Sequence, residues 1–211
     1  MKTWLPPLLI SLLTCASYAF ADDSVKLGCQ RLHLQLDAPL TSALVEQQWG
    51  SGEESTAKPA VLKLFGCKAE LLDSIVLEAP LARLDPTALR GTTAPTFLVS
   101  VDLTAAAGSY SGPLTIPVEV YDGHLKRVYA ISTSKQSDAI TLALTGKATW
   151  KKIAKRGGDE LFAVRCQPKG DGFVTSYYRY YTSRQGWRVR TRSEPGLWES
   201  DGEFPSMRRF P

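Results

Sequence analysis

The feature that most constrains this chain is alternation at period two, recurring in short runs between clusters of turn-forming residues. In "TFLVSVDL" it sets Phe97, Val99, Val101 and Leu103 on one face, and in "PLTIPVEVY" it does the same for Leu114, Ile116, Val118 and Val120. Side chains spaced in this way suit a half-buried pleated strand, because neighbours along a strand point to opposite faces. "YDGH", from Tyr121 to His124, adds an Asp-Gly hairpin signal leading into "LKRVYAIS". The pattern continues through "AITLALTG", "KATWKKIA", "ELFAVRC" and "FVTSYYRYY", divided by Gly146, by Gly157-Gly158-Asp159 and by "PKGDG". Strands at this spacing, with no long helical pattern between them, predict an all-β fold. The expected form is an antiparallel meander closing into a sandwich or partly open barrel, with at most one or two short helices in the N-terminal third. Pro117 has no N–H to give a ladder, so its strand is expected at an edge or a bulge.

The N-terminal third is less regular. "KLGCQRLHLQL" alternates, with Leu32, Leu34 and Leu36 sharing a face, while "TSALVEQQW" predicts a short helix capped by Thr41 or Ser42. "GSGEESTAKP", from Gly50 to Pro59, reads as a loop. "AELLDSIVLEAPLARL" satisfies helix and strand templates equally, and the sequence does not separate them. The phrase "AGSYSGPLTIPVEV" resembles a Gly-x-Tyr-x-Gly strand lead-in of some bacterial secreted β-sandwich and pilus-type domains. That resemblance covers fourteen residues and implies no site residue.

The chain opens "MKTWLPPLLISLLTCASYAFADD", with one basic residue, Lys2, an apolar run from Leu5 to about Leu13, and Ala19-Phe20-Ala21 as a small-x-small pattern. This predicts a secretory signal over residues 1–21, cleaved before Asp22. The apolar run is far short of the roughly 20 residues that span a bilayer, so no transmembrane segment is expected in the mature chain. Thr14 directly before Cys15 fits lipoprotein processing poorly. Residues 22–211 are then expected as a single β-rich domain, with residues 86–95 as the place for a subdivision, in the periplasm or outside a bacterial cell. Cleavage leaves Cys29, Cys67 and Cys166, and an oxidising compartment predicts one disulfide with one thiol left over. Cys29 with Cys67 is the favoured pair, with Cys67 and Cys166 as the alternative.

Charge is distributed unevenly. Residues 22–146 hold 10 Lys and Arg against 14 Asp and Glu, whereas residues 147–192 hold 12 against 3. The basic segment ends in "TSYYRYYTSRQGWRVRTR", Thr175 to Arg192, which carries four tyrosines, a tryptophan and five arginines. As a hairpin with a five-residue loop from Thr182 to Gly186, it pairs Tyr180 with Arg188 and Tyr178 with Arg190, placing both tyrosines with Arg192 on one cationic face. A two-residue Gln185-Gly186 turn would set Arg179 against Arg192, and directly opposed like charges are unfavourable. Tyr178, Tyr180, Arg188, Arg190 and Arg192 are therefore the candidate ligand-binding residues, because guanidinium forks bind carboxylates or phosphates and tyrosine rings stack on flat ligands. The following segment, "EPGLWESDGEFPSMRRFP", has Glu199, Asp201 and Glu203 for those arginines and Trp198, Phe204 and Phe210 for apolar ground. It is suited to fold back over the hairpin.

Catalytic signatures are not found. "GSYSG" has Tyr110 where a nucleophile elbow needs serine, "GDGFVT" lacks the third glycine of the dinucleotide fingerprint, and no Walker motif occurs. No two cysteines have zinc-ligand spacing, and His33 and His124 stand far apart, so neither a metal nor a cofactor is expected. The resulting expectation is an exported, non-catalytic binding module for an anionic glycan, lipid headgroup or acidic protein surface, with no role for nucleic acid. Two alternatives remain. One is an inhibitor or immunity-type partner of an exported enzyme, acting through Gly50–Pro59 or Ala105–Pro113. The other is a glycoside hydrolase using Glu199 and Asp201.

Overall fold

A computed structural model describes residues 23–37, 58–102, 112–167, 172–184, 186–196, 198 and 204–205. The residues of the signal, the helix at Thr41–Trp49, most of both loops assigned to the inhibitor reading, and Glu199, Asp201, Glu203 and Phe210 lie outside them. The described chain is nearly all β, without a closed barrel, as the alternation requires. No helix among the described residues is long and apolar enough to cross a membrane.

Three sheets stack in layers. The first, in order, holds β1 (Ser24–Leu27), β2 (Gln30–Gln35), β3 (Val61–Phe65) and β4 (Leu71–Val76). The second is built on β5 (Ala82–Leu84), β6 (Thr96–Asp102), β7 (Pro113–Tyr121), β8 (His124–Arg127) and, after an excursion, β11 (Leu142–Ala143). The third holds β9 (Tyr129–Ile131), β10 (Ser137–Ala139), β12 (Ala148–Lys155), β13 (Gly158–Cys166), β14 (Gly172–Tyr181) and β15 (Gly186–Pro195). The ambiguous "AELLDSIVLEAPLARL" resolves into β4 and β5. Among the described residues all pairings are antiparallel except β15 with β9, where Trp187 lies beside Ala130.

Between the first two sheets, Leu32, Leu34, Leu62 and Leu64 meet Phe97, Val99, Ile116 and Val118. Of the alternating faces read from the sequence, Phe97, Val99, Val101, Ile116, Val118 and Val120 belong to this core, and Leu103 lies outside the described residues. The Cys29–Cys67 disulfide ties the β1–β2 turn to the β3–β4 turn at the end of the same layer. The opposite face of the second sheet is also covered: Leu98 joins Val128, Ile140, Leu142, Leu161, Trp187 and Val189 in a second core against the third sheet. Sheet stacking on both sides thus makes the second sheet the interior layer, and each added layer removes apolar area from water at about 25 cal/mol per Å².

Pro117 corrects an expectation. Its strand β7 is central, paired with β6 through Leu98↔Pro117. On its other side β7 pairs with β11 at Leu114 and Thr115 and with β8 from Val118 onward. Pro117 falls in the interval where one partner replaces the other, so its missing N–H breaks no ladder bond. Its carbonyl accepts from Val128 N at 3.1 Å, and the carbonyl of Val128 in turn accepts from Ile140 N at 2.9 Å. Val128 is therefore the point where the run "LKRVYAIS" leaves the second sheet for the third.

Candidate functional site

The hairpin of Thr175–Arg192 forms, but its register differs by one residue from the sequence expectation. Tyr181 pairs with Gly186, Tyr180 with Trp187, Arg179 with Arg188, Tyr178 with Val189 and Tyr177 with Arg190. A 3-10 turn over Thr182–Arg184 shortens the connection. A one-residue slip changes which side chains share a face. Tyr178 and Tyr180 consequently stand with Trp187 and Val189 on the inner face, against the second core. The physical reason is apolar burial: this register places four large side chains inside, whereas the expected one aligned both tyrosines with arginines.

The five candidate residues are thus divided. Burial pushes the Tyr178 phenol above its ordinary pKa. The Tyr180 ring meets Trp187 edge-on with centroids 5.8 Å apart, and its hydroxyl lies 2.8 Å from Thr93 Oγ1. Arg188, Arg190 and Arg192 stand on the outer face, joined there by Tyr177, Arg179 and Tyr181. Arg179 and Arg188 are directly opposed, the like-charge arrangement that the sequence argument set out to avoid. Glu160, nearly buried on β13, offsets it by pairing with Arg179 at 3.2 Å and accepting from the Tyr177 hydroxyl. Burial and that carboxylate together push the Tyr177 phenol far above its ordinary range. Arg192 pairs with Glu194 at 3.3 Å. The Arg188 Nε–H is buried without an acceptor among the described residues.

The end of the outer face away from the hairpin tip is covered by the chain itself. Trp198 and Phe204 pack on Phe162, Val164 and Cys166, and the Cys166 thiol donates to the Trp198 carbonyl at 2.7 Å. Lys151 Nζ lies 4.2 Å from the centre of the Phe204 ring. Trp198 and Phe204 of the returning segment are therefore in place.

At the tip of the hairpin a cleft of 290 Å³ opens. Arg90, Lys155 and Arg179 line it, together with Tyr180, Tyr181, Thr182 and Ser183. Its floor is a close backbone contact between the β12–β13 turn and the loop before β6. Gly91 (φ +83°) and Gly158 (φ +136°) meet there, and a Cβ on Gly158 would lie 2.6 Å from the Arg90 carbonyl. Asp159 fastens the contact by accepting from Arg90 N at 3.1 Å, Nε at 3.0 Å and Nη2 at 2.7 Å. Burial alone would raise the Asp159 pKa, but the Arg90 donations outweigh it and hold the carboxyl below the ordinary aspartate value. Both wall carboxylates, Asp159 and Glu160, are thereby engaged by arginines. Lys155 has no ion-pair partner among the described residues, and Arg188 stands directly across from Arg179. Cations gathered in a recess, with hydroxyls and aromatic rings at its rim, suit an anionic group, since charge-assisted hydrogen bonds are the strongest of their kind.

Sequence reasoning did not find Arg90 or Lys155 as site residues. The contact of Arg90 with Asp159 spans 69 residues, and only the double glycine before Asp159 hinted at a close approach. His124 lies 3.4 Å from Asp73, whose carboxylate accepts from Leu125 N at 2.9 Å and joins the first two sheets. No known family, curated protein or solved structure matches this chain.

Proposed function

We propose that this chain is an exported binding protein that takes an anionic group at the tip of its third sheet. The convergence of Arg90, Lys155 and Arg179 on one cleft, with Arg188 opposed to Arg179, carries the reading. The disulfide is compatible with the oxidising compartment that an exported chain enters. Of the residues named from sequence, Tyr180 lines this cleft, and Arg188 stands beside it as the cross-strand partner of Arg179. Tyr178 serves the core.

The test is calorimetric titration with inorganic phosphate at two salt concentrations, on the unaltered protein and on Lys155→Ala and Arg188→Ala. Binding should weaken as salt rises, because the cleft is open to counterions. Each variant should lose about 3–10-fold in affinity, the roughly 1 kcal/mol net worth of one hydrogen bond in a cleft open to water. Salt-independent binding, or full affinity in the Lys155→Ala, Arg188→Ala double variant, would refute the assignment.

A further inference from the structure

Two more recesses continue from the cleft along the seam of the sheets. Tyr180 is the wall between the cationic cleft and a groove of 670 Å³ whose lining includes Leu125, Val128, Tyr129 and Trp187. Ile75 and Arg127 then border both this groove and a further recess of 320 Å³, which is lined by Val76, Leu77, Val101, Leu114 and Ile116. The three spaces thus share walls in sequence, and their chemistry changes along the way. In the first, Arg90 and Arg179 are paired with Asp159 and Glu160, and Lys155 is the positive charge in excess. In the groove, Lys126 lies across the strand pair from Glu119, and Arg127 pairs with Glu78 at 3.2 Å, so its charges are balanced. The last sets aliphatic side chains beside the Arg127–Glu78 pair and Thr141.

The groove itself carries apolar surface that the fold leaves open. Along the same track Tyr129 and Val76 are 53% and 67% exposed, although both are large and apolar. Exposed apolar surface arranged in a line from a cationic recess suits a molecule with one charged end and one apolar end.

We infer that the ligand is an anionic amphiphile, a lipid with a phosphate head and an acyl chain. The head sits in the cleft among Arg90, Lys155 and Arg179, and the chain passes Tyr180 into the Trp187 groove and on toward Val76. This inference rests on the anionic reading of the cleft and adds to it the identity of the ligand.

The experiment uses the full chain with inorganic phosphate, butyl phosphate, octyl phosphate and octanol, all below their micelle thresholds. Each fully buried methylene tightens binding by up to about fourfold, so octyl phosphate should bind at least about tenfold tighter than butyl phosphate even in a half-open groove. Tyr129→Gln, at an exposed position, should remove much of that gain and leave butyl phosphate unaffected. Lys155→Ala should weaken both phosphates alike. Equal affinity of butyl and octyl phosphate would overturn the amphiphile while leaving the anion site standing. Octanol binding as tightly as octyl phosphate would overturn it too, as would an undiminished chain-length gain in Tyr129→Gln. Failure of all three phosphates to bind would instead overturn the anion site itself.

Discussion

Gly157 and Gly158 are neighbours in one turn, yet alanine at the two positions should have opposite consequences. At Gly158 an added Cβ would stand 2.6 Å from the Arg90 carbonyl oxygen and 2.9 Å from the Gly91 Cα, on a backbone at φ +136°. Both obstructing atoms are main chain, so relief requires the turn to withdraw from the loop before β6. A side chain in that region of φ costs about 1–3 kcal/mol, and the steric displacement adds to it, so Gly158→Ala should destabilise by about 2–4 kcal/mol. At Gly157 a Cβ would meet nothing within 4 Å, and its φ is not in the left-handed region. There alanine should be neutral or stabilise by about 0.4–1 kcal/mol, by restricting the unfolded chain. Urea denaturation of both variants reads the difference directly. In a thermal melt Gly158→Ala should fall by about 5–15 °C relative to Gly157→Ala. The two glycines also line the anion cleft, so phosphate affinity should drop in Gly158→Ala and persist in Gly157→Ala. Equal stabilities would show that the backbone contact between this turn and Gly91 does not hold the tip together.

The Cys29–Cys67 disulfide spans 38 residues, and its loss in a paired serine variant or under reductant should cost about 4 kcal/mol on the chain-entropy model, measured by urea denaturation. Asp159 makes a second, pH-dependent prediction. Its folded pKa lies below the ordinary value of 3.8, so the unfolded state takes up a proton first as pH falls. The stability it contributes is therefore complete above about pH 5 and is lost on acidification through the folded pKa. Asp159→Asn should be less stable than the unaltered protein at pH 7, and the gap should narrow toward pH 2; a gap constant across that range would refute the role.

What the sequence displayed was the faces that meet along β6 and β7. Phe97, Val99, Val101, Ile116, Val118 and Val120 are spaced so that only a pleated strand gathers them, and they do form one core. The disulfide was legible because only Cys29, Cys67 and Cys166 follow the expected signal, which left Cys67 with Cys166 as the alternative that the fold rejects. The second buried face was hidden, because Leu98 and Pro117 become interior only when a third sheet is laid against them. Alternation reports that a strand has two faces but not how many layers cover them. The hairpin register was missed for a related reason. Sequence supplied the like-charge argument at Arg179, but not Glu160 on a neighbouring strand, which makes the opposition of Arg179 and Arg188 tolerable. Local chemistry suggested a cationic hairpin, while the cleft was assembled by Arg90 from the far side of the fold.

The single parallel pairing has a consequence for the order in which this chain acquires its structure. Ala130 and Trp187 lie 57 residues apart, and β9 finds its lateral neighbour β15 only after β12, β13 and β14 have been laid down. Until then the β9–β10 hairpin has one unsatisfied long side, the kind of edge that recruits foreign strands. Ladders closed across such separations form slowly, because much chain entropy is lost before any contact is gained. The strand that carries Trp187 and Arg188 is thus what covers the free side of β9, and a molecule cut short before β15 would present that side as an open edge.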